Sequence, residues 1–337
     1  MRECNPRNAV IQDDDGVHRR ALGCLVFAAR FTGVIWVARG VAGALLLASP
    51  ELSVGWYGVD PSQWDKYHLA YLAYLRMIMV VSEIYYGGFL IVSTMFADIR
   101  ATKNCVILNS WMLFIHGLVL MWKKIQFFDN GGFAFDSMII VVDVIICDLI
   151  PLVICAFATC ITDSNPGVPS TGELCRTIVF FCYFPANPKK NVFGVGLVIG
   201  FFAILNGGLF QADWVVTQIT TPEFMTDPGF SNLLRGWLGL LAVSYVTPVF
   251  TCIMFYNNDG AALDYHCSRC LWTWSCANVV CWLAFKLFCE ANSLPNGFAS
   301  FSTFLAVVFA AMVCRESLFI EAEKRPELIF RHTWMTA

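Results

Sequence analysis

Charged side chains are what this sequence has least of. Asp, Glu, Lys and Arg make up 14% of its 337 residues, whereas soluble domains carry about 25%. Hydrophobic residues account for 58%, and the mean hydropathy is +0.62. This composition excludes an ordinary soluble protein, and the net charge of −3 gives no sign of nucleic-acid binding.

Recognisable reaction motifs are also missing. The sequence has no HExxH, no GxSxG, no P-loop and no nucleotide-binding glycine fingerprint. Its 15 cysteines lack the spacing of a secreted disulfide framework, and most lie in apolar segments, where a thiol is a small apolar group. We therefore expect no cofactor, while leaving open a bound lipid or pigment.

Long apolar segments dominate what is present. A membrane-spanning helix needs about 20 apolar residues, and eight segments meet that length: 28–49, 70–96, 105–122, 134–161, 193–218, 233–256, 271–289 and 298–319. The sequence thus predicts an all-α, multi-pass membrane protein with eight transmembrane helices. In the segments outside these helices, fourteen Lys and Arg residues lie on one side of the predicted membrane and only Lys66, Lys123 and Lys124 on the other. Because basic residues concentrate on the inner side of a membrane, this bias places both termini on the inner side.

Two stretches of the chain are similar to each other. Residues 75–96 and 234–255 align without a gap, and five of 22 positions are identical, including Arg76 with Arg235 and Tyr86 with Tyr245. An arginine is costly inside an apolar run, so its recurrence in register indicates a duplication. The sequence therefore predicts two parallel four-helix repeats, residues 21–162 and 193–320. An inner linker with an interfacial segment, 163–192, joins them. An inner polar tail without regular structure, 1–20, precedes the first repeat, and an inner tail, 321–337, follows the second.

Ionisable residues within the apolar segments are candidates for function by default. In the first half these are Arg30, Arg39, Arg76, Glu83, Asp136, Asp143 and Asp148. Asp136 and Asp143 share a helix face, whereas Asp148 is expected more than a quarter turn away. The acids either form a proton- or cation-conducting stripe or neutralise the buried arginines. The near balance of signs favours neutralisation.

Further candidates are weaker. In the second half, Asp213 is positioned to pair with Arg235, and Lys286 with Glu290 at i, i+4 spacing. Gly40 and Gly43 on the first helix would admit a close neighbour.

Histidine offers two further sites. His116 lies deep in an apolar helix, where it would either contact a pigment or haem iron, act as an acid or base, or hydrogen-bond to a neighbouring helix. His266, Cys267 and Cys270 form a weak metal candidate, because zinc needs four ligands and no second CxxC follows.

The four-helix unit resembles the DoxX-like group and, in the second half, the four-helix scaffold of ergosterol biosynthesis. The matching residues are Arg235, Gly236, Trp237, Asn258, Tyr265, His266, Leu271, Trp272 and Thr273, with Arg76 and His116 as marks of the first half. Tandem fusion departs from both families. The resemblance implies a non-enzymatic membrane scaffold.

Three functions remain open on the sequence. The first is a non-catalytic scaffold or accessory subunit that binds membrane lipids and other membrane protein subunits. The second is a small-solute or proton-coupled transporter that uses Asp143 and Glu83. The third is a lipid-metabolism enzyme that uses His116 with Asp136 or Asp143.

Overall fold

The computed structural model describes residues 6–47, 49, 66–95, 99–129, 137–163, 170–172, 210–219, 228–244 and 261–335. Every regular element in these ranges is helical. The helices are α1 (Pro6–Leu47), α2 (Lys66–Ser93), α3 (Ile99–Lys123), α4 (Ser137–Val144), α5 (Ile150–Asp163), α6 (Ala212–Ile219), α7 (Pro228–Ser244), α8 (Ala261–Ala291) and α9 (Gly297–Met335). Two π-helical segments, Lys124–Asp129 and Ile145–Leu149, extend α3 and join α4 to α5.

Six stretches of this described part are long and apolar enough to cross a bilayer. They are Arg20–Leu45, His68–Ser93, Ile99–Gln126, Ile139–Asp163, His266–Ala291 and Gly297–Arg315. Helices suit an apolar medium because each satisfies its own backbone hydrogen bonds. The predicted all-helical fold is therefore confirmed for the described residues, which include six helices long and apolar enough to cross a membrane.

The finer architecture remains a prediction. Most of the predicted fifth helix (193–218) and part of the sixth (233–256) lie outside the described residues, as do Asp136, Tyr245 and most of the 163–192 linker. Neither the count of eight spans nor the repeat is decided.

The predicted N-terminal tail differs from the observed helix. The first helix starts at Pro6, so the polar tail is largely helical instead of lacking regular structure. The final helix runs without a break through the predicted 321–337 tail to Met335.

Helix α2 is the centre of the packing, because it contacts α1, α7 and α8. One buried cluster joins α2 to α7 and α8 through residues such as Leu75, Phe230, Trp237 and Phe285. The other joins α2 to α1, α3 and α5. The two clusters lie toward opposite ends of α2, and Glu83 lies between their α2 residues along that helix.

Glycines bring α1 and α2 into backbone contact. A β-carbon on Gly33 would lie 2.7 Å from the carbonyl oxygen of Gly87, and one on Gly40 would lie 2.6 Å from Cγ1 of Ile84. A β-carbon on Gly43 would lie 2.6 Å from Nη2 of Arg76. The close neighbour expected at Gly40 and Gly43 is confirmed, and small residues are the usual means of such contact in membranes.

We expect Gly87→Ala to destabilise the protein and Gly88→Ala to leave it intact. The added methyl group at Gly87 would overlap the Gly33 carbonyl and lie 2.7 Å from the backbone nitrogen of Val37, whereas Gly88 has no atom within 4 Å. Overpacking of this kind costs about 1–3 kcal/mol. Chemical unfolding in detergent should show this loss for Gly87→Ala only. Equal stability of the two variants would contradict the glycine contact.

Candidate functional site

Arg39 lies at the centre of a cluster of charged side chains between the first helices. Its Nη2 donates to Oδ2 of Asp143 at 2.8 Å, and its Nη1 lies 3.1 Å from Nε2 of His116. The same Nη1 is 3.7 Å from Oε1 of Glu83. The guanidinium carbon also sits 5.3 Å from the ring centre of Trp36, within range of a cation–π contact. The Arg39 side chain thus links α1 to α2, α3 and α4.

Glu83 is shared between two arginines. It lies seven residues after Arg76 on α2, and two helical turns bring both side chains to one face. Arg76 donates from Nη1 to Oε1 at 3.1 Å and from Nη2 to Oε2 at 3.4 Å. Glu83 is only 2% exposed, and these two cations offset the cost of burying its carboxylate.

His116 and Asp148 form a second buried pair in contact with the first. The His116 Nδ1 atom is 2.9 Å from both carboxylate oxygens of Asp148. Each residue is 2% exposed. Trp36 packs edge-on against the imidazole with 4.9 Å between ring centres. The indole therefore contacts both members of the Arg39–His116 pair and keeps solvent from it.

The position of Asp148 corrects an expectation. Regular α-helical geometry, at about 100° per residue, separates Asp143 and Asp148 by more than a quarter turn. The structure nevertheless turns both carboxylates toward the cluster, because the intervening Ile145–Leu149 segment is π-helical. The wider π turn places residues five apart nearly one above the other.

Proline explains where this π segment lies. Pro151 has no N–H to donate to the carbonyl of Cys147, and its ring crowds that carbonyl. The N–H of Ile150 bonds instead to the carbonyl of Ile145, five residues back. The sequence analysis missed this consequence, although a proline three residues after a buried aspartate is a readable signal of an irregular turn.

The other predicted residues lie elsewhere. Arg235 at α7 pairs with Asp213 at α6, and Lys286 Nζ lies 3.1 Å from Glu290 Oε1 on α8. Asp136 lies outside the described residues. In the described part of the chain, no three His, Cys, Asp or Glu side chains are placed to hold a metal, and this includes the His266–Cys270 region.

An ion pair of a buried lysine that sequence reasoning missed joins α3 to the end of α5. Lys103 is 0% exposed and its Nζ donates to Oδ1 of Asp163 at 2.6 Å. The same oxygen accepts from the backbone N–H and the hydroxyl of Thr171. The burial of Lys103 follows only from this three-dimensional neighbour, because its local sequence contains no acidic partner.

Neutral polar groups bridge α2, α3 and α5 beside the charges. The Tyr86 hydroxyl donates to Oδ1 of Asn109 at 2.6 Å, and Nδ2 of Asn109 donates to Sγ of Cys155 at 3.3 Å. The Thr32 hydroxyl on α1 lies 3.7 Å from the same sulfur. These contacts satisfy polar atoms that would otherwise be costly to bury.

Comparisons with known proteins identify no relative. No protein-family model, curated protein or solved structure matches the chain. The functional argument therefore depends on the geometry, and the resemblance to DoxX-like and ergosterol-biosynthesis scaffold proteins remains a proposal.

Removing the Glu83 charge should be costly. Glu83→Gln leaves two buried guanidinium groups with less compensation, and breaking a buried pair typically costs about 3–5 kcal/mol. Glu290→Gln is the matched control, since Glu290 belongs to a partly exposed i, i+4 pair that contributes about 0.3–0.5 kcal/mol. Denaturant titration of both variants measures the difference. Similar losses for the two would show that the buried charges contribute little to the fold.

Proposed function

We propose that this chain is a non-catalytic integral membrane scaffold, or an accessory subunit of a membrane complex, that binds partner proteins and lipid. The observation that carries this proposal is the mutual pairing of the buried charges. Each charged side chain of the cluster contacts an oppositely charged group or, for Asp148, the imidazole of His116. These side chains are Arg39, Arg76, Glu83, Asp143 and Asp148. These contacts between charged side chains connect four helices.

The outward faces of the bundle support the same proposal. On α5, Val153 is 59% exposed and Phe157 is 68% exposed, and only 28% of the Ile139–Asp163 span is buried. On α9, Phe301 and Phe304 are 60% and 61% exposed, and 11% of its span is buried. Large apolar surfaces of this kind suit acyl chains and the helices of other subunits.

The geometry gives less support to a pigment or haem site at His116. Both ring nitrogens already lie within hydrogen-bonding distance of protein groups, Arg39 and Asp148. Metal ligation would need one of these contacts to break. The same pairing weakens the proposal of a lipid enzyme that uses His116 as its acid or base.

A proton-coupled transporter is the second candidate, and one observation favours it. The Asp143 side chain is 29% exposed, whereas that of its partner Arg39 is 10% exposed. The carboxylate is therefore the most accessible charged group of the cluster.

Asp143→Asn separates the two candidates. For a scaffold, the variant loses a charged hydrogen bond, and the free energy of unfolding should fall by about 1.5–3 kcal/mol. Proton flux into proteoliposomes should equal that of protein-free vesicles for both the wild type and the variant. Flux in the wild type that disappears in a fully stable Asp143→Asn variant would instead establish transport.

Partner binding is tested by site-specific photo-cross-linking in native membranes. A photoreactive phenylalanine analogue at Phe157, 68% exposed, should yield adducts larger than the 37.7 kDa chain. The same analogue at Phe285, 0% exposed, is the matched control and should give no adduct to another protein. A chain that gives no adduct from Phe157 and purifies alone in mild detergent would contradict the scaffold proposal.

A further inference from the structure

Three exposed arginines lie toward the end of the bundle at which α2 ends and α3 begins. Arg30 on α1 is exposed, and its Nε donates to the hydroxyl of Thr94 at 3.0 Å. Thr94 directly follows the last residue of α2. Arg100 is exposed in the first turn of α3, and Arg20 is exposed ten residues before Arg30 on α1. The hydrogen bond to Thr94 therefore holds the Arg30 guanidinium at the level where α2 ends.

Helix packing brings these arginines to the same end of the bundle. Helices α1 and α2 run antiparallel, because Gly33 lies against Gly87 whereas Gly43 lies against Arg76. The N-terminal half of α1 therefore lies beside the C-terminal end of α2. The start of α3 packs against the same part of α1, since Ala101 belongs to the buried cluster that joins these helices.

The two ends of the bundle differ in how their basic side chains are paired. At the end that contains the three arginines, Asp163 accepts a hydrogen bond from Lys103. No ion pair among the described residues includes Arg20, Arg30 or Arg100. At the opposite end, the arginine of α7 and the lysine of α8 each pair with a carboxylate. The three arginines therefore present positive charge to an anion from outside the described part of the chain.

The location of Arg30 indicates which anion this is. Arg30 lies within Arg20–Leu45, a stretch long and apolar enough to cross a bilayer. An exposed guanidinium in such a stretch is costly unless it reaches the membrane surface or an anion. Side chains on a helix lean toward its N-terminus, and on α1 this is the direction of the end where α2 stops. The side chain is thus directed toward the lipid headgroups, whose phosphate a guanidinium binds through two N–H groups.

We propose that Arg30 binds the phosphate of an anionic membrane lipid, with Arg20 and Arg100 adding positive charge around the headgroup. The Nε group of Arg30 donates to Thr94, and its Nη1 and Nη2 groups donate to two phosphate oxygens. A zwitterionic headgroup fits less well, because its ammonium group would approach a surface that already carries three positive charges. This inference rests on the lipid binding proposed for the scaffold and specifies the class of lipid.

The test is native mass spectrometry of the full-length protein, titrated in mild detergent with phosphatidylglycerol or with phosphatidylcholine of the same acyl chains. We expect phosphatidylglycerol to bind more tightly, and Arg30→Gln to weaken its binding about tenfold or more, since the variant loses charged hydrogen bonds. Lys286→Gln, at the opposite end of the bundle, is the matched control and should bind as the wild type does. Equal binding of the two lipids, or an Arg30→Gln variant that binds like the wild type, would overturn the proposal.

Inorganic phosphate distinguishes a lipid site from a site for a free anion. Displacement of phosphatidylglycerol by inorganic phosphate at equal concentration would overturn the lipid assignment, because the acyl chains should favour the lipid. If Arg30→Gln fails to fold, Arg100→Gln takes its place, since its side chain lies at the bundle surface. We expect this variant to weaken phosphatidylglycerol binding about fivefold, and unchanged binding would refute the proposal.

Cross-linking from Phe157 tests the scaffold role separately from the lipid site. Adducts from Phe157 together with equal binding of the two lipids would refute only the inference about the anionic lipid. Preferential binding of phosphatidylglycerol without any adduct from Phe157 would instead refute partner binding and support the lipid site.

Discussion

The cost of placing charge in an apolar medium is the constraint on which the first half of this structure depends. Arg39 and Arg76 lie within long, largely apolar helices. Each requires an anion nearby: Arg76 pairs with Glu83 on its own helix, whereas Arg39 pairs with Glu83 and Asp143 on two other helices. The positions of α1, α2, α3 and α4 relative to one another follow largely from that requirement. Hydrophobic packing alone would not select it, because lipid is as apolar as the helix surfaces.

Close packing of α1 against α2 makes the pairing geometrically feasible. Gly33 and Gly87 let the two backbones touch, which brings Arg39 to within 3.7 Å of Glu83. Larger residues at the glycines would move the helices apart and lengthen this distance beyond that of an ion pair. The glycines and the charges are thus two parts of one arrangement: the first sets the separation of the helices, and the second fixes their register.

The sequence predicted the composition of the candidate site better than its geometry. Helical spans and buried ionisable residues follow from hydropathy, because a charge in an apolar run is conspicuous wherever it occurs. The alignment of Asp143 with Asp148 was not predicted, since it depends on a π turn beside Pro151. The burial of Lys103 was not predicted, because nothing in its local sequence reveals the carboxylate of Asp163, 60 residues away. Local pattern identifies the charges inside apolar runs, whereas long-range contacts decide which groups meet and bury charges such as Lys103 at the helix ends.

The length of α9 has a mechanical consequence. Its 39 residues form a rod about 58 Å long at 1.5 Å per residue, whereas the hydrocarbon layer is about 30 Å thick. Roughly half of the helix therefore exceeds the length that the hydrocarbon layer can hold. A helical extension of this kind carries any tilt of the Gly297–Arg315 span to a point well beyond the lipid surface.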